Sequence, residues 1–204
     1  MLSELTFPKN ITLIYGPPGS GKTTLCLQKT AATQGKIIFI DTENTFSTKR
    51  LLEMNPNINL NNIILINAKR YSEQYKAVKN LKDTQNISLI IIDSFTKHYR
   101  KKIHEKLNVT PPTIKQLQFL RDLRIPILLT SQVYCKDNTC KPLANHLWSN
   151  FSKQTLELQK DHYENRKLLV NFKEIKFNIT GKGLEPIITF PDSSSTQPSE
   201  DNHN

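Results

Sequence analysis

The sequence predicts an α/β domain whose mostly parallel sheet is flanked by helices, with antiparallel strands added at the C-terminal end. Three observations carry this. Short β-branched runs alternate with helical patterns through the first two-thirds of the chain. Those runs are apolar without interruption, as suits strands buried on both faces of a parallel sheet. Beyond about residue 150 the pattern changes to alternation of apolar and polar residues.

The first strand is 11-ITLIY-15, which runs through 16-GPPGSGKTT-24 into a helix near 22–33. The second strand, 37-IIFI-40, leads to a helix near 47–54, and the third, 63-IILI-66, to a helix near 71–83. In that helix Tyr71, Tyr75, Val78 and Leu81 recur on one face at helical spacing. The Asn-rich 55–62 before the third strand reads as a loop. After the fourth strand, 88-SLIII-92, comes a helix near 111–124, with Thr110 as N-cap and Pro111 at its first position. The fifth strand is 126-PILLT-130. Strands alternating with helices imply right-handed crossovers and three layers. Farther on, 154–160 and 167–179 alternate, with Leu168, Val170 and Phe172 on one face, then Phe177 and Ile179. Turn residues 180-TGKG-183 separate them from 185-EPIITF-190. Residues 1–191 read as one domain. The closing 192–204 is polar, lacks apolar anchors and is expected to be a disordered tail.

At 204 residues the chain is long enough for a proper core. No apolar run approaches the ~20 residues that span a bilayer, and MLSELTFPKN has none of the parts of a secretory signal. The expectation is a cytoplasmic protein without a membrane partner, nuclear if the cell has a nucleus. Three cysteines, Cys26, Cys135 and Cys140, do not describe a disulfide framework. Cys135 and Cys140 read as ordinary loop cysteines, since no second Cys or His pair with zinc-like spacing accompanies them. The net charge of +10 favours polyanionic partners. It is concentrated between 97 and 106, where Lys97, Arg100, Lys101, Lys102 and Lys106 are opposed only by Glu105.

Gly16, Pro17, Pro18, Gly19, Ser20, Gly21, Lys22 and Thr23 satisfy G-x-x-x-x-G-K-[ST] between a strand and a helix, with Thr24 next to them. Glycines let the backbone wrap phosphates, and the helix N-terminus adds the positive end of its dipole. Lys22 is placed for the β- and γ-phosphates of ATP and the Thr23 hydroxyl for Mg²⁺. Asp93 ends the buried run 89-LIIID-93, where an acid holds the Mg²⁺ shell through water. Asp41 and Glu43 follow the second strand, and ligands collect at the carboxyl ends of parallel strands. Glu43 is the candidate base for the attacking water; Asp41 is equally readable as structural. Gln132, just past the fifth strand, is the candidate sensor of the γ-phosphate.

GPPGSGKTT, IDTENTFSTKRLL, LIIIDSFTKHYR and LLTSQV, in this order and at these distances, resemble the RecA-type recombinase superfamily. Within it, DSFTKHYR and SQVYCKDNTCKPLANHLW are most similar to the short archaeal paralogues of the RadB family, which lack an N-terminal helix-hairpin-helix domain. The resemblance implies a Walker A motif at Lys22 and Thr23, a catalytic glutamate at Glu43, a Walker B acid at Asp93, and a sensor at Gln132. It further implies an adenine contact at Arg50. By the same analogy residues 97–106 form a first DNA loop, in which Tyr99, Arg100, Lys101, Lys102 and Lys106 meet single-stranded DNA, with Tyr99 and His98 stacking on bases. Tyr99 is also readable as a core residue, as is Trp148. The function implied is weak, DNA-dependent ATP hydrolysis in an accessory protein of homologous recombination and DNA repair. Its expected partner is the main recombinase of the superfamily, in a homo- or hetero-oligomer. The alternative is a regulatory ATPase in which nucleotide is a switch read by protein partners, without direct DNA binding. The short second DNA loop, expected around 134–147, and Ala144-Asn145 within it argue against autonomous strand exchange.

Overall fold

Alternate residues of each central strand go to opposite faces of one sheet, and the two sets fall into two separate cores. Ile38 and Ile40 of β2 (Lys36–Asp41) join Ile90 and Ile92 of β4 (Ile87–Asp93) and Ile127 and Leu129 of β5 (Ile127–Ser131) on one side. Ile37, Phe39, Leu89, Ile91 and Leu128 line the other. Strands that bury both faces need no polar alternation, which is why these runs are continuously apolar. The computed structural model describes residues 5–136, 139–171 and 173–187.

The first core is covered by α3 (Tyr71–Asn80), α4 (Thr96–His104), α5 (Thr110–Asp122) and α6 (Asn145–Phe151). The second is covered by α1 (Lys22–Ala32) and α2 (Thr48–Met54). With β1 (Ile11–Tyr15), β3 (Ile63–Asn67) and the C-terminal strands β8 (Ser152–Lys160), β9 (Arg166–Val170), β10 (Lys173–Thr180) and β11 (Gly183–Pro186), the sheet has nine strands in the order β11-β10-β9-β8-β1-β5-β4-β2-β3. From β8 to β3 all neighbours are parallel; β9, β10 and β11 are added antiparallel. The fold class is the expected one, down to the antiparallel C-terminal extension.

Several local expectations need correction. The run 63-IILI-66 is not buried on both faces: β3 is the sheet's edge, and Ile64 and Leu65 are each about two-fifths exposed. The stretch 154–160 does not begin the antiparallel part, because β8 lies parallel to β1. Residues 167–179 are two strands: β9 and β10 pair as a hairpin that turns at Asn171, whose φ is 49°. Phe172 lies outside the described residues, as do 188–204 with the expected tail. Thr110 is the first residue of α5 and Val109 its cap, one position before the expectation. The helix expected near 71–83 ends at Asn80 and closes with a 3₁₀ turn, Leu81–Asp83.

The expected basic loop at 97–106 is α4 as far as His104, with Lys106 in a left-handed turn just beyond it. Its period is hard to see in the sequence because only one side is apolar, and that side includes His98. Tyr99 is 7% exposed and packs in the first core, while the His98 ring lies 2.7 Å from the Ala68 carbonyl oxygen. Neither ring is open for stacking on a base. Trp148 is in the core as well, with its indole N–H donating to the Leu143 carbonyl.

Farther on, β6 (Val133–Lys136) pairs antiparallel with β7 (Thr139–Pro142), and Cys135 stands opposite Cys140. The two are joined by a disulfide. They are therefore not ordinary loop cysteines: cross-strand neighbours are close enough for a single bridge, and a lone hairpin needs no larger framework. Cys26 is free and buried.

Candidate nucleotide site

At the carboxyl ends of β1, β4 and β5 lies a cavity of about 410 Å³. Gly16, Pro18, Gly19, Gly21, Lys22, Thr23, Thr24, Glu43, Asp93 and Gln132 all reach it, from four separate stretches of sequence. The loop after β1 can pass so close to β8 only because residue 16 is glycine: a Cβ there would run into the Leu158 backbone carbonyl. Gly21 caps α1 at φ 104°, a left-handed conformation that glycine adopts without steric cost. No side chain caps α1 and its first turn holds no acid, so its leading N–H groups are left for an anion.

Lys22 Nζ donates to the carbonyls of Gly16 and Pro17, at 2.8 Å each. Burial pushes its ammonium below the usual lysine range, against the pull of Asp93 and Glu43. Across the cavity the Thr23 hydroxyl donates to Asp93 Oδ2 at 2.6 Å, and the Thr130 hydroxyl donates to Oδ1. Burial pushes the Asp93 carboxyl above its ordinary value, opposed by those two hydrogen bonds. A lysine and an aspartate, both desolvated in one cavity, match a polyanion brought in with a cation. The residues fit such a pair on a further count. Ser20 Oγ is buried in the loop with no hydrogen-bond partner. Among the described residues no cluster of three His, Cys, Asp or Glu could hold a metal by itself. A hydroxyl and one carboxylate are nevertheless what Mg²⁺ uses when phosphate oxygens complete its shell.

Asp41 resolves as structural. Its Oδ1 accepts from the backbone N–H groups of Glu43 and Asn44, and its Oδ2 from that of Phe46, at 2.8–2.9 Å. It therefore shapes the loop that carries Glu43. Thr42 pins the same loop to the end of β4, its N–H donating to the Asp93 carbonyl and its hydroxyl accepting from the Ser94 N–H. Asp41→Ala should cost about 2–4 kcal/mol, because three N–H groups lose a charged acceptor at a buried position. Urea midpoints at an unchanged m-value would measure this, and a loss below about 0.5 kcal/mol would contradict the assignment.

The Gln132 carboxamide bridges the cavity. Its Nε2 donates to Glu43 Oε1 at 3.0 Å, and its Oε1 accepts from Arg100 Nη1 at 3.1 Å. Arg100, expected among the DNA contacts, thus also lines the nucleotide cavity, as do Thr45, Ser94, Val133 and Ile179. Arg50 does not. Its guanidinium is held by Glu53 and by the Thr180 carbonyl at 2.8 Å, beside Ile179 at the rim.

Of the other basic residues on α4, Lys97 donates to the Thr42 carbonyl at 2.6 Å and Lys102 pairs with Glu105. Lys101 and Lys106 are exposed. An exposed aromatic near Arg100 is Tyr134 of β6, 47% exposed, which sequence reasoning missed. It lines a second cavity, of about 250 Å³, together with Arg100, Ile103 and His104. The available signal was its place two residues after Gln132 and two before Lys136.

Residues 6–185 match the Rad51 family model. The DNA repair and recombination protein RadB of Thermococcus sibiricus is 35% identical over 91% of this chain and 90% of its own length. RadB of Methanococcus maripaludis is 31% identical, over 88% and 93%. A crystal structure of the RadB recombinase superposes with a TM-score of 0.72 at 29% identity, covering 89% of this chain and 92% of that one. The similarity runs along nearly the whole described chain, which belongs to the Rad51 family as a RadB-like recombinase paralogue.

Proposed function

We propose that the chain binds ATP with Mg²⁺, hydrolyses it weakly, and binds single-stranded DNA as an accessory protein in DNA repair and homologous recombination. The observation that supports this best is the meeting of Lys22, the Thr23–Asp93 pair, Glu43 and Gln132 in one cavity, with the basic outer face of α4 adjoining it. The names of its relatives point the same way. Thr23 and Asp93 would hold Mg²⁺, which when bound neutralises charge on the phosphates. Lys22 and the N–H groups of α1 orient the phosphate chain. Glu43 takes a proton from the attacking water, and Gln132 turns toward the γ-phosphate. Arg50, whose guanidinium is held by the Thr180 carbonyl next to the cavity-lining Ile179, is the proposed adenine contact. Main-recombinase and self-association partners belong to the same reading.

DNA binding rests on Arg100, Lys101, Lys102 and Lys106, without Tyr99. Anisotropy of a labelled dT oligonucleotide should show affinity falling linearly with salt on logarithmic axes. Replacing Lys101 and Lys106 together with alanine should lower that slope by about 2, one for each phosphate no longer neutralised. A second reading has its own support: Lys97, Arg100 and Lys102 each hold an intramolecular partner, which shortens the list of free cations. Absence of salt-dependent binding, with or without ATP, would replace the DNA reading by the nucleotide switch that acts through protein partners.

A further inference from the structure

We propose that Arg100 is a positioning residue of the nucleotide site, acting on Glu43 through Gln132, and that a phosphodiester bound along α4 releases it. This rests on the proposed roles of Glu43 and Gln132.

The chemistry at each end fixes the orientation of the carboxamide between them. A carboxylate only accepts hydrogen bonds and a guanidinium only donates them. Gln132 must therefore turn its NH₂ to Glu43 and its oxygen to Arg100, as it does at 3.0 and 3.1 Å. Reversing the amide would break both bonds at once. The backbone of Gln132 is held independently: its N–H donates to Thr96 Oγ1, and its carbonyl accepts from the Leu143 N–H at 2.8 Å. The side chain is the part left free to move.

While Arg100 holds the oxygen, the NH₂ stays on Glu43 Oε1. There it occupies a lone pair that an attacking water would use. This arrangement is thus a restrained one. Arg100 itself is exposed and lines two cavities, the nucleotide site and the 250 Å³ groove beside Tyr134. A phosphate in that groove offers the guanidinium a charged, bidentate acceptor in place of one neutral amide oxygen, and charge-assisted pairs are the stronger. Drawing Arg100 outward leaves Gln132 free to turn to the γ-phosphate and Glu43 free to take its water.

Steady-state ATP hydrolysis by wild type, Arg100→Ala and Arg100→Lys, with and without a dT oligonucleotide, tests this. Arg100→Ala should raise kcat without oligonucleotide by about 5-fold, the net worth of one hydrogen bond. It should leave KM for ATP within about 2-fold and abolish stimulation by the oligonucleotide. Arg100→Lys, which keeps the charge with a single-point donor, should lie between. Wild-type kcat in Arg100→Ala, or undiminished stimulation, overturns the proposal.

A second readout needs no turnover. Linkage is reciprocal, so Gln132→Ala, which frees Arg100, should bind the oligonucleotide about 3-fold tighter, and adding Arg100→Ala should remove that gain. Unchanged affinity in Gln132→Ala likewise overturns it. A wild type that does not hydrolyse ATP at all would sink the proposed function and this relay together. Hydrolysis that ignores Arg100 would sink the relay alone.

Discussion

Glu43→Gln should hold Mg-ATP as the wild type does and hydrolyse it about 10²- to 10⁴-fold more slowly, the usual worth of a positioned general base. The substitution keeps the shape of the side chain and removes its capacity to take a proton. The loop that carries Glu43 does not depend on that charge for its place, because Asp41 and Thr42 fix it through its backbone, and a glutamine oxygen at 43 can still accept from Gln132. Lys22 and the Thr23–Asp93 pair lie on other elements. Binding and turnover should therefore separate cleanly. Affinity for a fluorescent ATP analogue and single-turnover hydrolysis would be measured on the same preparation. Turnover within 10-fold of the wild type would remove Glu43 as the base.

The second large effect is on binding itself. Lys22→Ala should weaken nucleotide affinity by about 10- to 100-fold, the range for losing a hydrogen bond to a charged group in a desolvated site. Burial already disfavours the Lys22 ammonium, and a phosphate is the partner that restores it. Within the protein the lysine spans two carbonyls of its own loop, so the variant should remain folded. The rise in melting temperature that ATP gives the wild type should shrink or vanish in the variant. An undiminished rise would refute the assignment of the phosphate loop.

Much of this site is legible in the sequence because its parts are set by spacing along single elements. Lys22 and Thr23 stand at the start of a helix, and Asp93 at the end of a buried strand, where the period of the element alone decides their placement. The roles that were not legible depend on how elements meet. Whether Asp41 faces Mg²⁺ or its own loop is decided by the turn at 42–46, not by its position after β2. Tyr99 and Tyr134 are equally aromatic and equally near basic residues. One is buried because α4 packs on the sheet, while the other lies on the two-stranded β6–β7 pair, outside the main sheet. The charge of Arg100 is visible in the sequence, but its bond to Gln132 requires knowing that α4 starts directly over the end of β5. The disulfide was missed for the same reason: Cys135 and Cys140 become neighbours only once the hairpin register is known.

The seat of the phosphate loop has a consequence for how the protein is made. Gly16 lies against Leu158, and Gln28 of the following helix exchanges hydrogen bonds in both directions with the backbone of Leu184. The loop is made of residues 16–24, but its floor and one wall are supplied more than 130 residues later in the chain. Pairings of such separation cost loop-closure entropy before they return anything. A nascent chain halted before β11 would carry the whole signature motif and still lack a finished cradle. On the proposed function, nucleotide capture requires the chain through β11, and ATP, by binding only that form, would draw β11 into place.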